Sequence, residues 1–67
     1  MENGIVKWFD NERGYGFISG ENGTDVFVHY SKVKEKTYRK DLHEGEEVNY
    51  DTIVNERGME AINVQKM

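Results

Sequence analysis

The sequence of 67 residues lacks cysteine and proline altogether. Without cysteine, the chain has no disulfide, no thiolate nucleophile and no zinc site built on thiolates. It also lacks the ~20 consecutive apolar residues of a membrane-spanning helix, and the residues after Met1 lack the apolar core of a secretion signal. The lack of cysteine suits the cytoplasm, where disulfides are rare. From these absences together, we expect a soluble cytoplasmic protein that does not enter a membrane.

Apolar side chains are scarce, at 36% hydrophobic residues. A chain of this length buries only about 60% of its unfolded surface. We therefore expect a single domain, residues 1–67, with a small core. Large aromatic side chains on its water-facing surface would need a functional reason, because there is little apolar material to spare.

Positive charge is also in the minority. Lys and Arg number 9 against 13 Asp and Glu, which gives a formal net charge of -4. This balance argues against a protein that holds nucleic acid mainly by neutralising phosphates. The charge is uneven along the chain, however, since a basic segment at residues 32–40 precedes an acidic segment at residues 41–51.

Short runs of β-branched and aromatic residues alternate with turn signals along the whole chain, a pattern typical of strands joined by hairpins. We predict strands at residues 4–10, 15–19, 26–29, 46–54 and 59–65. No segment has a helical period, and residues 31–44 are predicted as a short turn followed by a long loop. Five strands without covering helices favour a small all-β antiparallel Greek-key barrel, because closure removes exposed strand edges.

Strand alternation predicts which side chains face solvent. In the second and third strands, only one assignment buries Ile18, Val26 and Val28. It sends four flat side chains outward: Tyr15, Phe17, Phe27 and His29. The same alternation predicts inward-facing residues on the last two strands: Val48, Tyr50, Thr52, Ile62 and Val64.

The first strand leaves an alternative open at Trp8. Strict alternation places Trp8 on the same side as Val6, in the core. A β-bulge, which small barrels often contain, would bring Trp8 to the surface and leave Phe9 between core and surface. In the second strand, Gly14 and Gly16 allow either bending of the strand or close approach of a ligand, and we favour bending.

The outward rings predict a platform for unpaired bases. Same-face neighbours along a strand are about 6.6 Å apart and adjacent strands about 4.8 Å apart. Successive bases of a single strand could stack at such spacings, each contributing roughly 1–3 kcal/mol whatever its identity. The alternative is cross-strand aromatic pairing that only stiffens the sheet. We favour binding, because the chain places so many rings on one face.

Two segments resemble known motifs. RGYGFI (residues 13–18) is similar to the first ribonucleoprotein motif, and VFVHY (residues 26–30) is similar to the second as bacterial cold-shock proteins carry it. With VKWF at residues 6–9 and NERG at residues 55–58, the resemblance to the cold-shock protein family covers nearly the whole chain. RNA-recognition motifs share a pattern like the first segment, but that fold needs two helices.

The resemblance implies an OB-fold barrel that binds single-stranded RNA and DNA, prefers pyrimidines weakly and acts as an RNA chaperone. By matching position it assigns base stacking to Trp8, Phe17, Phe27, His29, Tyr30 and Tyr38, with Tyr15 and Phe9 beside them. It assigns contacts with phosphates or base edges to Lys7, Arg13 and Arg57. It assigns a hydrogen bond from a base to Asp25.

The chain departs from the family pattern at several positions. Asp10 stands where the family usually has asparagine, so an amide donor becomes a charge. Tyrosine replaces the commoner phenylalanine at positions 15, 30 and 38. The loop at residues 35–44 is more basic and longer than usual, so Tyr38 is the least secure match.

Other classes of function explain less. A peptide-binding barrel would account for the rings but not for both motifs. An enzyme would need activated groups in a pocket, and His29 and His43 alone cannot form a metal cluster. We therefore expect no catalysis, no cofactor, no small-molecule substrate and no metal. We expect a monomer, and a dimer that exchanges strands through the long loop is the alternative left open.

Overall fold

The computed structural model describes residues 1–34 and 42–67. Tyr38, predicted as a stacking residue, and most of the basic segment lie outside the described residues. The strands are β1 (Glu2–Asp10), β2 (Tyr15–Gly20), β3 (Asp25–His29), β4 (Glu47–Asn55) and β5 (Gly58–Lys66). A short 3-10 turn at Tyr30–Lys32 follows β3. Each of the five predicted strands is confirmed, and every predicted limit lies within two residues of the observed one.

The strands form a closed barrel in the order β1-β2-β3-β5-β4. β1 pairs with both β2 and β4, and β4 pairs with β5, all antiparallel. β2 and β3 form an antiparallel hairpin. The remaining seam joins β3 to β5 in parallel, through the pair of Phe27 and Glu60. The predicted small barrel is therefore confirmed, with one parallel seam that hairpin signals could not reveal.

The barrel interior is filled mainly by compact branched side chains. Its buried hydrophobic residues are Val6, Ile18, Val26, Val28, Val33, Leu42, Val48, Tyr50, Ala61 and Val64. No polar or charged residue is buried within residues 1–34 and 42–67, apart from the hydroxyl that Tyr50 carries. The predicted inward face of β2 and β3 is confirmed, as are the buried positions of Val48, Tyr50 and Val64.

The prediction for the fifth strand is wrong in part. Ile62 is only half-buried, whereas Ala61 is fully buried. The β4–β5 register shifts here. Between two successive pairs, β4 advances by two residues, from Asn49 to Asp51, while β5 moves by three, from Gln65 to Ile62. Asn63 absorbs the extra residue with φ of 53°, a left-handed conformation that asparagine tolerates. Ala61 and Val64 therefore both face inward. Thr52, opposite Ala61, lies on the predicted side but is half-buried.

The Tyr50 hydroxyl is buried without a hydrogen-bond partner among the described residues. An unpaired buried hydroxyl costs about 1–3 kcal/mol, so Tyr50→Phe is expected to raise the free energy of unfolding by about 1 kcal/mol. Burial raises the pKa of Tyr50, and the charges of Glu2 and Glu21 add to this effect.

This pKa shift predicts how the stabilisation by Tyr50→Phe varies with pH. The unfolded chain ionises its phenol near pH 10, while the folded chain keeps it neutral to higher pH. Wild-type stability should therefore fall as pH rises above about 10, and the variant should lose less. Urea unfolding of both proteins at neutral pH and above about pH 10 measures the difference. If the free energies of unfolding of wild type and Tyr50→Phe were equal at both pH values, the prediction would be contradicted.

Candidate nucleic-acid interface

A β-bulge brings Trp8 to the surface. Val6 pairs with Ile18, but the next pair joins Trp8 to Phe17, so that Lys7 is an extra residue on β1. The bulge reverses the alternation, and Trp8 is 40% exposed while Val6 is buried. Of the two alternatives left open at Trp8, the bulge is therefore the one that the structure contains, and the buried tryptophan is wrong.

Strands β2 and β3 bring the next rings to the same face. Tyr15 pairs with His29, and Phe17 pairs with Phe27. Directly paired residues project on the same side of a sheet. The intervening pairs join Gly16 to Val28 and Ile18 to Val26, and they face inward. The predicted outward orientation of the four flat side chains is therefore confirmed.

Four of these rings form one continuous cluster. The centroid of Trp8 lies 5.9 Å from that of Tyr15 and 5.6 Å from that of Phe17. The centroid of Phe27 lies 5.9 Å from that of Tyr15 and 5.7 Å from that of Phe17. Tyr15, Phe17 and Phe27 are half-buried, because they cover one another while their outer faces meet solvent. These separations match favourable aromatic packing.

His29 and Tyr30 extend the cluster at one end. Their ring centroids are 4.7 Å apart, and Tyr30 is 49% exposed. The His29 Nδ1 atom accepts a hydrogen bond from the backbone N–H of Ser31 at 3.2 Å, which caps the 3-10 turn and fixes the imidazole. The Tyr30 ring packs over Gly14, where an added Cβ would lie 2.6 Å from it. We call the six rings of Trp8, Tyr15, Phe17, Phe27, His29 and Tyr30 the aromatic surface.

Phe9 lies between this surface and the core. It is half-buried and packs against the buried residues of the barrel. The interpretation that Phe9 lies between the two is confirmed, and only part of its ring is available to a ligand.

Lys7 and Asp25, predicted to contact a ligand separately, contact each other. The Lys7 Nζ atom donates to the Asp25 Oδ2 atom at 2.9 Å, and both side chains are exposed. An exposed ion pair of this kind contributes only about 0–1 kcal/mol. Opening it therefore imposes a small penalty on any ligand that takes either partner.

The predicted contact residue Arg57 lies in the turn between β4 and β5. Its backbone N–H donates to the Asn55 Oδ1 atom at 2.9 Å, and its side chain is exposed. Asn55 also donates from Nδ2 to the Glu60 Oε1 atom at 2.8 Å. Since Glu60 pairs with Phe27 across the β3–β5 seam, this turn adjoins the aromatic surface.

Comparison with known proteins assigns the family. The model of the "'Cold-shock' DNA-binding domain" matches residues 2–67. The chain belongs to the cold-shock domain family. Cold shock protein 2 of Lactiplantibacillus plantarum is 52% identical over 65 residues, 97% of either chain. Cold shock protein CspD of Bacillus subtilis is 49% identical over 67 residues, the whole of both chains.

A cold-shock structure shares the fold. The Drosophila structure titled Unr CSD456 superposes with a TM-score of 0.79 at 24% identity, over 98% of this chain. The match spans 26% of that longer chain. The OB-fold barrel expected from the motifs is thereby confirmed, and the cold-shock domain is a nucleic-acid-binding, non-enzymatic module.

Glu60 is a residue at this cold-shock interface that the sequence did not reveal. It pairs with Phe27 in the outward row that runs from Trp8 through Phe17, and Ile53 follows it on β4. The acid therefore bounds the aromatic surface on the β5 side. Glu60 comes next to Phe27 only through the parallel pairing of β3 with β5, and no local sequence signal indicates that pairing.

Within residues 1–34 and 42–67, no group of three or more His, Asp or Glu side chains is arranged to hold a metal ion. No helix in that part of the chain has the length and apolar character needed to cross a membrane.

Proposed function

We propose that this protein binds single-stranded RNA and DNA by stacking bases on the aromatic surface, and that it acts in the cytoplasm as a monomeric RNA chaperone. Residues 1–67 then function as one cold-shock domain. The observation that carries the proposal is the continuous cluster of Trp8, Tyr15, Phe17 and Phe27 on neighbouring strands. A chain with a net charge of -4 needs such an uncharged source of affinity for a polyanion.

The arrangement of the rings supports unpaired bases as the ligand. Bases in a duplex already stack on one another, so only a single strand offers both faces of a base to a protein ring. Stacking tolerates any base, and the weak pyrimidine preference follows from differences in stacking and backbone flexibility. Lys7, Arg13 and Arg57, all exposed, are proposed to contact phosphates or base edges, and Asp25 to accept a hydrogen bond from a base.

Trp8 fluorescence provides the test, because this single tryptophan lies within the aromatic surface. Titration with oligo-dT is expected to quench it, and a blunt duplex of equal length is not. Equal quenching by both ligands, or by neither, would remove the proposal. Binding of a proline-rich peptide without binding of any oligonucleotide would favour the peptide-binding alternative.

Salt dependence separates stacking from charge neutralisation. We expect log K to fall with log salt at a slope corresponding to only a few phosphates, at about 0.7 per phosphate for a single strand. Titrations of oligo-dT at several salt concentrations measure this slope. A slope that required eight or so neutralised phosphates would contradict the account based on stacking.

Chaperone activity follows if binding is selective for unpaired bases. A ligand that binds only the open form of a hairpin shifts the equilibrium toward opening by mass action. A weak RNA hairpin labelled with a fluorophore and a quencher should therefore open as protein is added, whereas a stable hairpin should not. An unchanged weak hairpin at saturating protein would contradict the chaperone role while leaving single-strand binding intact.

A further inference from the structure

Asp10 is held in a fixed position at the start of the turn that joins β1 to β2. Its Oδ1 atom accepts hydrogen bonds from the backbone N–H groups of Glu12 at 3.0 Å and Arg13 at 3.1 Å. Its other oxygen, Oδ2, lies 3.8 Å from the Nε atom of Arg13. One carboxylate oxygen therefore shapes the turn, and the other faces the guanidinium group.

Arg13 has a second partner on the aromatic surface. Asp10 pairs directly with Tyr15 across β1 and β2, so the Arg13 side chain that Asp10 contacts lies near the Tyr15 ring. Tyr15, more than the charge of Asp10, raises the pKa of Arg13. The Tyr15 ring in turn lies against Trp8 and Phe27. The guanidinium is thus placed at the edge of a ring that is proposed to carry a stacked base.

An arginine in this arrangement is suited to reading a base edge. The carboxylate of Asp10 offsets part of its charge, which weakens general attraction for phosphates. The guanidinium nevertheless keeps several N–H donors in a rigid plane. Guanine presents two adjacent acceptors, O6 and N7, that fit such a pair of donors, whereas thymine and adenine present a donor next to each such acceptor.

We propose that Asp10 is a positioning residue that holds Arg13 beside Tyr15, so that the guanidinium selects guanine at one nucleotide position of the bound strand. This inference rests on the proposed function, since it needs a single strand on the aromatic surface. The guanine preference is local and is superimposed on the weak pyrimidine preference of the remaining positions. Asp10 thereby gains a role in specificity.

Asp10→Asn tests the proposal with little disturbance of the turn. Asparagine keeps an oxygen to accept the two backbone N–H groups, but it places an NH2 donor where the carboxylate oxygen faced Arg13. Wild-type protein should bind an oligo-dT carrying guanine at one particular position about fivefold more tightly than plain oligo-dT, near the lower end for a bidentate contact. The variant should lose this fivefold ratio of affinities and bind plain oligo-dT about twofold more tightly. Its slope of log K against log salt should also be steeper by about 0.7.

Two further variants separate position from charge. Arg13→Lys keeps the positive charge but not the planar set of N–H donors. It should therefore lose the preference for guanine-containing oligo-dT over plain oligo-dT, as Asp10→Asn does. Glu12→Gln removes a neighbouring negative charge without touching the guanidinium, and it should retain the ratio. Retention of the ratio in Asp10→Asn, or an equal loss of affinity for all oligonucleotides, would overturn the inference while leaving the proposed function standing. Failure of the wild-type protein to bind any single strand would overturn both.

Discussion

Replacing Phe17 or Phe27 with alanine is expected to weaken binding of a short oligo-dT by about 1–3 kcal/mol for each residue, the range found when a base loses its stacking partner. Both rings lie in the middle of the aromatic surface, where each contacts two neighbours. Fluorescence anisotropy of a labelled oligonucleotide is the appropriate measurement. It does not depend on Trp8, whose emission would change when the adjacent Phe17 is removed.

Matched variants show whether the ring itself is responsible. Phe17→Tyr keeps a flat face and should bind within about threefold of the wild type. Ile53→Ala removes an apolar side chain that is 42% exposed, on the same outward row but beyond Glu60, and should leave binding unchanged. The proposal fails if Ile53→Ala weakens binding as much as Phe17→Ala. It also fails if the phenylalanine variants melt so early that unfolding alone explains the lost affinity.

The central part of the aromatic surface could be predicted from the sequence because β2 and β3 are regular and adjacent along the chain. Alternation fixed the outward side of Phe17 and Phe27 once Ile18 and Val28 were placed inside. The hairpin then brought the two strands together in a register that pairs the rings directly. The local residue pattern and the short connection between the strands were therefore sufficient to predict this part of the aromatic surface.

Elsewhere the register is irregular, and alternation alone misleads. The bulge at Lys7 decides that Trp8 faces outward, and the sequence offered this only as one of two alternatives. The shift near Asn63 buries Ala61 in place of Ile62, with no clear signal in the pattern. Each irregularity depends on strands that must close a small barrel, which is a property of the whole fold.

Contacts between distant parts of the chain were also beyond the sequence. Glu60 reaches Phe27 only through the parallel seam between β3 and β5. The pairing of Lys7 with Asp25 joins the β1 bulge to the start of β3. Both contacts place a carboxylate at the interface. Under the proposed function, the carboxylates of Glu60 and Asp10 beside the aromatic surface weaken general attraction for phosphates and leave affinity to stacking.

Gly16→Ala is the substitution expected to damage the fold itself. Gly16 is buried on β2, and an added Cβ would overlap the carbonyl oxygen of Trp8 and lie 2.7 Å from the Cα atom of Phe9. Both contacts are with the backbone of β1, which cannot move aside as a flexible side chain could. We expect a loss of about 1–3 kcal/mol in the free energy of unfolding, as for other overpacked sites. Urea denaturation measures it.

Gly23→Ala provides the contrast for this prediction. Gly23 has φ of 80° in the turn between β2 and β3, and nothing lies within 4 Å of an added Cβ. Its substitution therefore tests backbone strain alone, and the expected loss in the free energy of unfolding is about 1 kcal/mol. Gly16 lacks a positive φ, so its substitution tests overlap alone.

Because relief of the overlap at Gly16 must displace the bulge that carries Trp8, Gly16→Ala should weaken binding of oligo-dT even where the variant is fully folded. Wild-type stability and affinity in Gly16→Ala would show that β1 and β2 do not approach as closely as described, and that close strand packing does not set the position of Trp8.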